Sequence, residues 1–202
     1  MSSRKRVGLL GGTFNPPHFG HLNLARELGE KHRLDEVWWL PTRLNPEKLG
    51  EKIVDSSCRL EMVRLAIKDD PYFALCLEEL HRPPPSYTVD TLRALHVKYK
   101  EVQFFLLLGE DAAARFVEWK EPLEILRLAK VLVGTRPSQE KQMPLEGNSP
   151  IFEAIRAGWT PIRQMEISSR SIRERILARR SCSHLVPKFV LDYILSCGLY
   201  SE

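Results

Sequence analysis

The sequence predicts an α/β fold: a doubly wound parallel sheet, completed by a small helical part at the C-terminal end of the chain. Three observations predict it. Strand, loop and helix signals alternate from the start, which is the rhythm of a parallel sheet covered on both sides. Residues 102–108, Val-Gln-Phe-Phe-Leu-Leu-Leu, are apolar almost throughout, as a central strand buried on both faces should be. The length, 202 residues, fits one domain of that kind, and 43% hydrophobic with 28% charged residues fits a globular chain rather than a disordered one.

In chain order, residues 6–10 read as a buried strand running into Gly11-Gly12. Apolar positions at 22, 24, 25 and 28 predict a helix over 19–32. Residues 36–40 form the next strand, stopped by Pro41, and a polar loop runs to Asp55. Leu60, Val63 and Ile67 share one face of a helix over 57–68, with Asp55, Ser56 or Ser57 as its N-cap. A strand over 72–77 follows, then an extended loop over 81–86, where three consecutive prolines exclude helix. Val89, Leu92, Leu95 and His96 face inward from a helix over 88–98.

Beyond the strand at 102–108 come short helices over 112–116 and 123–128 and a strand over 130–133. Residues 137–150 are polar and without period, a surface linker. A helix over 152–157, a strand over 162–167, a helix opened by Ser168 or Ser169, and a last helix with Pro187 in its first turn and Gly198 at its end complete the chain. Adjacent strand residues point to opposite faces, so Trp38 and Trp39 both serve packing.

The longest strongly apolar stretch, 102–109, is less than half of the roughly 20 residues a membrane helix needs, which excludes a spanning segment. The basic start, Arg4-Lys5-Arg6, leads into an apolar run that breaks at Gly11-Gly12, too soon for an export signal. Cys58, Cys76, Cys182 and Cys197 have no paired spacing, so free thiols and a cytoplasmic location are expected rather than a zinc or disulfide framework.

The chemistry concentrates in two places. The first strand ends in Gly11-Gly12-Thr13-Phe14, where missing side chains let backbone N–H groups approach an anion beyond the carboxyl end of the sheet. The next helix begins near Phe19, and its N-terminus favours phosphate. His18 and His21 are three apart there, so both can face one ligand. The spacing is neither Gly-x-Gly-x-x-Gly nor Gly-x-x-x-x-Gly-Lys-Ser/Thr. The alternative is structural: His18 capping the helix and His21 packing on the sheet. The second place is Ile167-Ser168-Ser169-Arg170-Ser171-Ile172-Arg173, where hydroxyls and free N–H groups at a helix start make an anion site with a cation one turn in. Its alternative is an ordinary capped helix with a solvated arginine face.

Taken together these segments resemble the nucleotidyltransferase superfamily that carries a His-x-Gly-His motif, here His18-Phe19-Gly20-His21. The resemblance implies a Rossmann-like fold, with the imidazoles on the nucleotide phosphates during adenylyl transfer. The second segment resembles that superfamily's Ile-Ser-x-Thr-x-Ile-Arg motif, which grips the ATP phosphates. Pro85-Ser86-Tyr87-Thr88, Leu108-Gly109-Glu110-Asp111, Phe116, Trp119 and the tail from Leu185 to Tyr200 narrow the likeness to bacterial nicotinate-nucleotide adenylyltransferases. It covers nearly the whole chain apart from the 137–150 linker, and implies one nucleotidyltransferase domain over 1–202 with 168–202 as its C-terminal helical part.

Carried over residue by residue, the resemblance places His18, His21 and Arg173 in catalysis. It places Gly11, Gly12, Thr13, Phe14, Gly109, Asp111, Arg136, Ser168 and Ser169 on ATP, and Lys48, Thr88 and Trp119 on the mononucleotide, with Trp119 stacking on the pyridine ring. Structural alternatives stand beside these roles: Trp119 as a core aromatic, Asp111 as a helix cap, Thr88 as a helix entry. Mg²⁺ is expected to travel with ATP, since no carboxylate cluster is evident to hold it independently. Three positions depart from the pattern: Arg170 stands where the superfamily has threonine, Lys120 where many relatives have an aromatic, and the loop 41–48 matches well only at Pro46 and Lys48.

The implied activity is adenylyl transfer from ATP to nicotinate mononucleotide, giving deamido-NAD and pyrophosphate. Rivals are another member of the superfamily with a pantetheine-phosphate or nicotinamide mononucleotide acceptor, or a non-catalytic nucleotide sensor, which Arg170 favours. Class I aminoacyl-tRNA synthetases carry a similar motif, but this chain is short and lacks their second lysine motif. A nucleic-acid partner is disfavoured by a phosphate loop at the far end of the chain from the basic segment; a homo-oligomer is left open. The formal charge of +4 is local: residues 156–180 hold seven arginines against two acids, a net of +5, and the rest of the chain sums to −1. The excess surrounds the motif implied to bind triphosphate.

Overall fold

The computed structural model describes residues 4–43, 53–135, 149–163 and 165–201. Six parallel strands, β1 (Lys5–Gly12), β2 (Glu36–Pro41), β3 (Phe73–Leu75), β4 (Val102–Gly109), β5 (Lys130–Thr135) and β6 (Trp159–Pro161), lie in the order β3-β2-β1-β4-β5-β6. The helices between them are α1 (Phe19–Lys31), α2 (Ser56–Ile67), α3 (Thr88–Lys98), α4 (Glu110–Ala114), α5 (Pro122–Leu128) and α6 (Pro150–Ala157), with a 3₁₀ turn at Phe116–Glu118. After β6 come α7 (Ser169–Leu177) and α8 (Lys188–Ser196). Strand order reverses between β1 and β4, and that switch point is where ligands bind in open parallel sheets.

The pleat explains the two-sided core. In β4, Phe104, Leu106 and Leu108 face one apolar cluster while Phe105 and Leu107 face the other. Trp38 and Trp39 divide in the same way, as alternation requires. Residues of α3, α5 and α6 cover the first cluster and those of α1 and α2 the second. A third cluster, Ile172, Ile176, Val190 and Ile194, packs α7 and α8 onto Met62 of α2.

Several boundaries correct the sequence expectations. The last strand is Trp159–Pro161, not 162–167. Gly158 leaves room for the Val131 carbonyl, which would stand 1.9 Å from a Cβ there, so the chain closes on β5 three residues early. β5 is described as far as Thr135, whose carbonyl accepts from the Ile162 N–H, and among the described residues 163 and 165–167 belong to no strand. β3 is three residues rather than six. The buried face of α2 is Arg59, Met62, Val63 and Ile67, displacing Leu60, and Asp55 caps it by accepting from the Ser57 N–H. His96 is half-buried, its Nε2 2.7 Å from the Leu128 carbonyl. Of the expected linker, 137–148 lies outside the described residues; Ser149 and Pro150 already belong to the start of α6.

Candidate active site

Two glycines and a turn build the N-terminal half of the site. Gly11 and Gly109, near the ends of β1 and β4, have no atom of the described residues within 4 Å of where a Cβ would stand. Phe14 turns the chain at φ 48°, a left-handed conformation that costs a bulky residue about 1–3 kcal/mol unless its surroundings hold it. They do. Its ring is buried between Trp39 and His21, each with a centroid 5.1 Å away.

The two imidazoles come together at the start of α1. His18 is the residue before the first turn, and its main-chain N–H donates to Nδ1 of His21 across 3.2 Å. Accepting there puts the proton of neutral His21 on Nε2. The rings are stacked, with centroids 3.7 Å apart at 31°. Gly20 makes this possible: a Cβ at 20 would lie 3.0 Å from His18 Nδ1 and 3.1 Å from Cε1. The expectation that His18 sits at the helix start and the expectation that it faces a ligand are therefore compatible. His18 is 6% exposed, and burial pushes its pKa down to about 4, so the ring is neutral at pH 7.

The C-terminal motif arrives at the same loop. Ser168 caps α7 by accepting from the Ser171 N–H at 3.1 Å. Ser169 Oγ donates to the Pro16 carbonyl at 2.8 Å, and Arg173 Nη1 donates to the Asn15 carbonyl at 2.9 Å. Tyr200 adds its hydroxyl to the Asn15 side-chain oxygen at 2.7 Å. Segments more than 150 residues apart thus form one structure. Arg170, the departure from the motif, is exposed in the first turn of α7.

Beside these residues a cleft of about 230 Å³ is lined by Gly20, Asn23 and Leu24 of α1, Gly109, Glu110 and Asp111 after β4, and Met165 and Ile167 before α7. Asp111 is exposed within α4; the N-cap of that helix is Gly109, so the capping alternative does not hold.

Thr88 and Trp119 stand on neighbouring segments. Lys120 Nζ donates to Asp90 at 3.0 Å and lies 4.6 Å from the Tyr87 ring, and Arg93 pairs with Glu121. These contacts draw the start of α3 against 119–121 and account for Lys120. Trp119 packs on Phe116, with centroids 5.2 Å apart, and is half-buried. Lys48 and Arg136 lie outside the described residues.

Buried side-chain polar atoms almost always find partners. Among the described residues His18 Nδ1, Thr13 Oγ1 and Trp119 Nε1 are buried without a partner, as are atoms of residues outside the motifs such as Arg6, Trp39 and Trp159. Among the described residues no group of three or more His, Cys, Asp or Glu side chains converges as metal ligands do. No described helix is long and apolar enough to cross a membrane, and the four cysteines are free.

Sequence reasoning missed two supports. Glu79, 5% exposed, accepts from the Thr91 hydroxyl at 3.0 Å, and Arg82 donates to that same hydroxyl, tying the 79–82 segment to α3 near Thr88. Burial raises the Glu79 carboxyl above its ordinary range. Arg59, inside α2, is buried among main-chain carbonyls. An arginine three and four residues before Met62 and Val63, on the inward face, was the available signal.

The geometry finds close parallels. The Cytidylyltransferase-like family profile matches residues 9–175. A probable nicotinate-nucleotide adenylyltransferase of Bacillus mycoides is 36% identical over 198 residues, covering 98% of this chain and all of the relative. One from Bacillus anthracis is 37% identical over the same span. Among solved structures, Plasmodium falciparum nicotinic acid mononucleotide adenylyltransferase complexed with NaAD superposes with a TM-score of 0.76 at 17% identity, over 97% of each chain, a likeness of fold. With the profile spanning both phosphate motifs and relatives above 30% identity along the whole length, the chain belongs to the nicotinate-nucleotide adenylyltransferase family.

Proposed function

We propose that this chain joins nicotinate mononucleotide to the α-phosphate of ATP, releasing pyrophosphate and giving deamido-NAD. The observation that carries the reading is the stacked His18–His21 pair at the start of α1, bound through the Asn15 and Pro16 carbonyls to the serine and arginine of α7. Relatives named for this activity at 36–37% identity support the acceptor. The chain works as one nucleotidyltransferase domain, with 168–202 as its helical C-terminal part, in the cytoplasm.

In the reaction a phosphate oxygen of the mononucleotide attacks the α-phosphorus, and the bond from that phosphorus to the bridging oxygen breaks, the electron pair leaving with pyrophosphate. The nucleophile is already ionised, so no general base is needed. The obstacle is repulsion: two like unit charges at 4 Å cost about 4 kcal/mol at an effective dielectric of 20. Positioning and donors aimed at the developing charge overcome it. A neutral, buried His18 serves as such a donor to the α- and β-phosphate oxygens, with His21 orienting or sharing that load. Arg173, with Ser168 and Ser169, stabilises departing pyrophosphate; in doing so it exchanges or shares its bond to Asn15. Gly11, Gly12, Thr13 and Phe14 supply backbone N–H groups and a hydroxyl, while Gly109 and Asp111 hold the ribose beside the cleft. Adenine recognition is assigned to Arg136 and a phosphate contact to Lys48, and Thr88 and Trp119 receive the pyridine ring. Mg²⁺ enters with the triphosphate as part of the substrate.

The test is pyrophosphate release with ATP and each acceptor in turn. Nicotinate mononucleotide is expected to give the highest kcat/KM. Release only with phosphopantetheine, or a preference for nicotinamide mononucleotide, would move the chain to another acceptor. Tight ATP binding with no release at high protein concentration would favour a sensor.

A further inference from the structure

The strained turn after β1 is held by an arginine that belongs to neither phosphate motif. Arg59 is 2% exposed, and its guanidinium makes four hydrogen bonds among the described residues. Nη1 donates to the carbonyls of Thr13 at 2.9 Å and Thr42 at 2.6 Å, Nη2 to Arg43 at 3.0 Å, and Nε to Val54 at 3.2 Å. All four of these acceptors are main-chain carbonyls. A buried charge arranged this way fixes backbone from three places at once: the end of β1, the end of β2 and the approach to α2. Burial lowers the Arg59 pKa from its ordinary value; the guanidinium remains the cation at neutral pH.

The Thr13 carbonyl is the informative partner. The Thr13–Phe14 peptide is trans, the cis bonds being at Asn15–Pro16 and Pro84–Pro85. In a trans peptide the N–H points opposite to the C=O across the same plane. With its carbonyl on Arg59, this peptide directs the Phe14 N–H away from Arg59. Turning the peptide over would strand a buried carbonyl and a guanidinium donor together. Two peptides on, the Asn15 carbonyl accepts from Arg173, and Pro16 and Pro17 have no N–H. Phe14 and Asn15 therefore carry the last backbone donors before His18, and Arg59 sets the direction of the first of them.

We propose that Arg59 is a positioning residue for phosphate binding: by holding the Thr13 carbonyl it aims the Phe14 N–H at a phosphate oxygen of the nucleotide. The inference rests on the reading of the β1–α1 loop as the phosphate site. Arg59 itself touches no substrate. Lysine cannot replace it, because one ammonium nitrogen cannot reach four carbonyls that a planar fork satisfies together.

The full chain, wild type and with Arg59→Lys or Arg59→Ala, tests this in two ways. The first needs no variant: inorganic pyrophosphate titrated into ¹⁵N-labelled protein should move the Phe14 amide resonance. The second is kinetic. Arg59→Lys should keep a cooperative unfolding transition yet lose on the order of 10- to 100-fold in kcat/KM for ATP, with KM for the mononucleotide within about twofold. The Phe14 response to pyrophosphate should be lost in parallel. Millimolar guanidinium should restore activity to Arg59→Ala severalfold and leave the wild type unchanged. A folded Arg59→Lys with wild-type constants and a wild-type Phe14 response would overturn the proposal. So would a wild-type Phe14 amide indifferent to pyrophosphate while adenylyl transfer proceeds, which leaves the proposed function standing. Failure of that function reads differently, as no pyrophosphate release by the wild type, and the Phe14 titration then still decides the role of Arg59.

Discussion

The guanidinium of Arg173 donates to the main-chain carbonyl of Asn15 across 2.9 Å, so the second phosphate motif is a structural part of the first. Ser169 repeats the connection one residue further on, at the Pro16 carbonyl. The arginine-rich segment is thus held against the loop that carries His18. Arg173 brings one charge of the 156–180 excess to this loop, 158 residues away in sequence from Asn15.

His18→Ala should lower kcat by on the order of 10²–10³ while changing KM for either substrate little, the pattern for loss of one transition-state donor. Steady-state kinetics with both substrates varied checks this. Unchanged kcat would remove His18 from the chemistry.

The buried imidazole also gives stability a pH dependence. Burial moves His18 from 6.5 to about 4, so between those values the unfolded chain binds the extra proton. The contribution is fully present above pH 6.5 and is lost as pH falls toward 4, over a span on the order of 3 kcal/mol. Urea unfolding at pH 7 and pH 4.5 should show a larger acid loss for the wild type than for His18→Gln. Equal losses would mean that the ring titrates as a solvated one.

Gly20→Ala separates catalysis from folding. Alanine is the better helix former by about 0.5–1 kcal/mol, so Tm should hold or rise. The new Cβ, 3.0 Å from His18 Nδ1, pushes the ring off its stack on His21, and kcat should fall by on the order of tenfold. A parallel loss of Tm and activity would instead mean that the helix start had been damaged.

Much of this was legible in the sequence, and the gaps have physical causes. The run at 102–108 reported a strand buried on both faces, and β4 divides its side chains between the two clusters. His18, Gly20 and His21 were legible as a unit because spacing on a helix start fixes which rings can meet. Trp159–Pro161 was not legible as a strand, since pairing there depends on Gly158 admitting the Val131 carbonyl, a contact between residues far apart in the chain. Apolar spacing placed Leu60 inward and overlooked Arg59. The position of Arg59 on the inward face was a signal, but its partners were not legible, because every residue has a carbonyl. The same reason hid the bonds of Ser169 and Arg173 to the first loop.

The most direct test of the central claim follows the phosphorus of ATP. With ATP labelled at the α-phosphate and nicotinate mononucleotide as acceptor, the label should appear in the dinucleotide, with one unlabelled pyrophosphate released for each dinucleotide formed. Label found in a mononucleotide or an inorganic product, with no labelled dinucleotide, would contradict adenylyl transfer at this site.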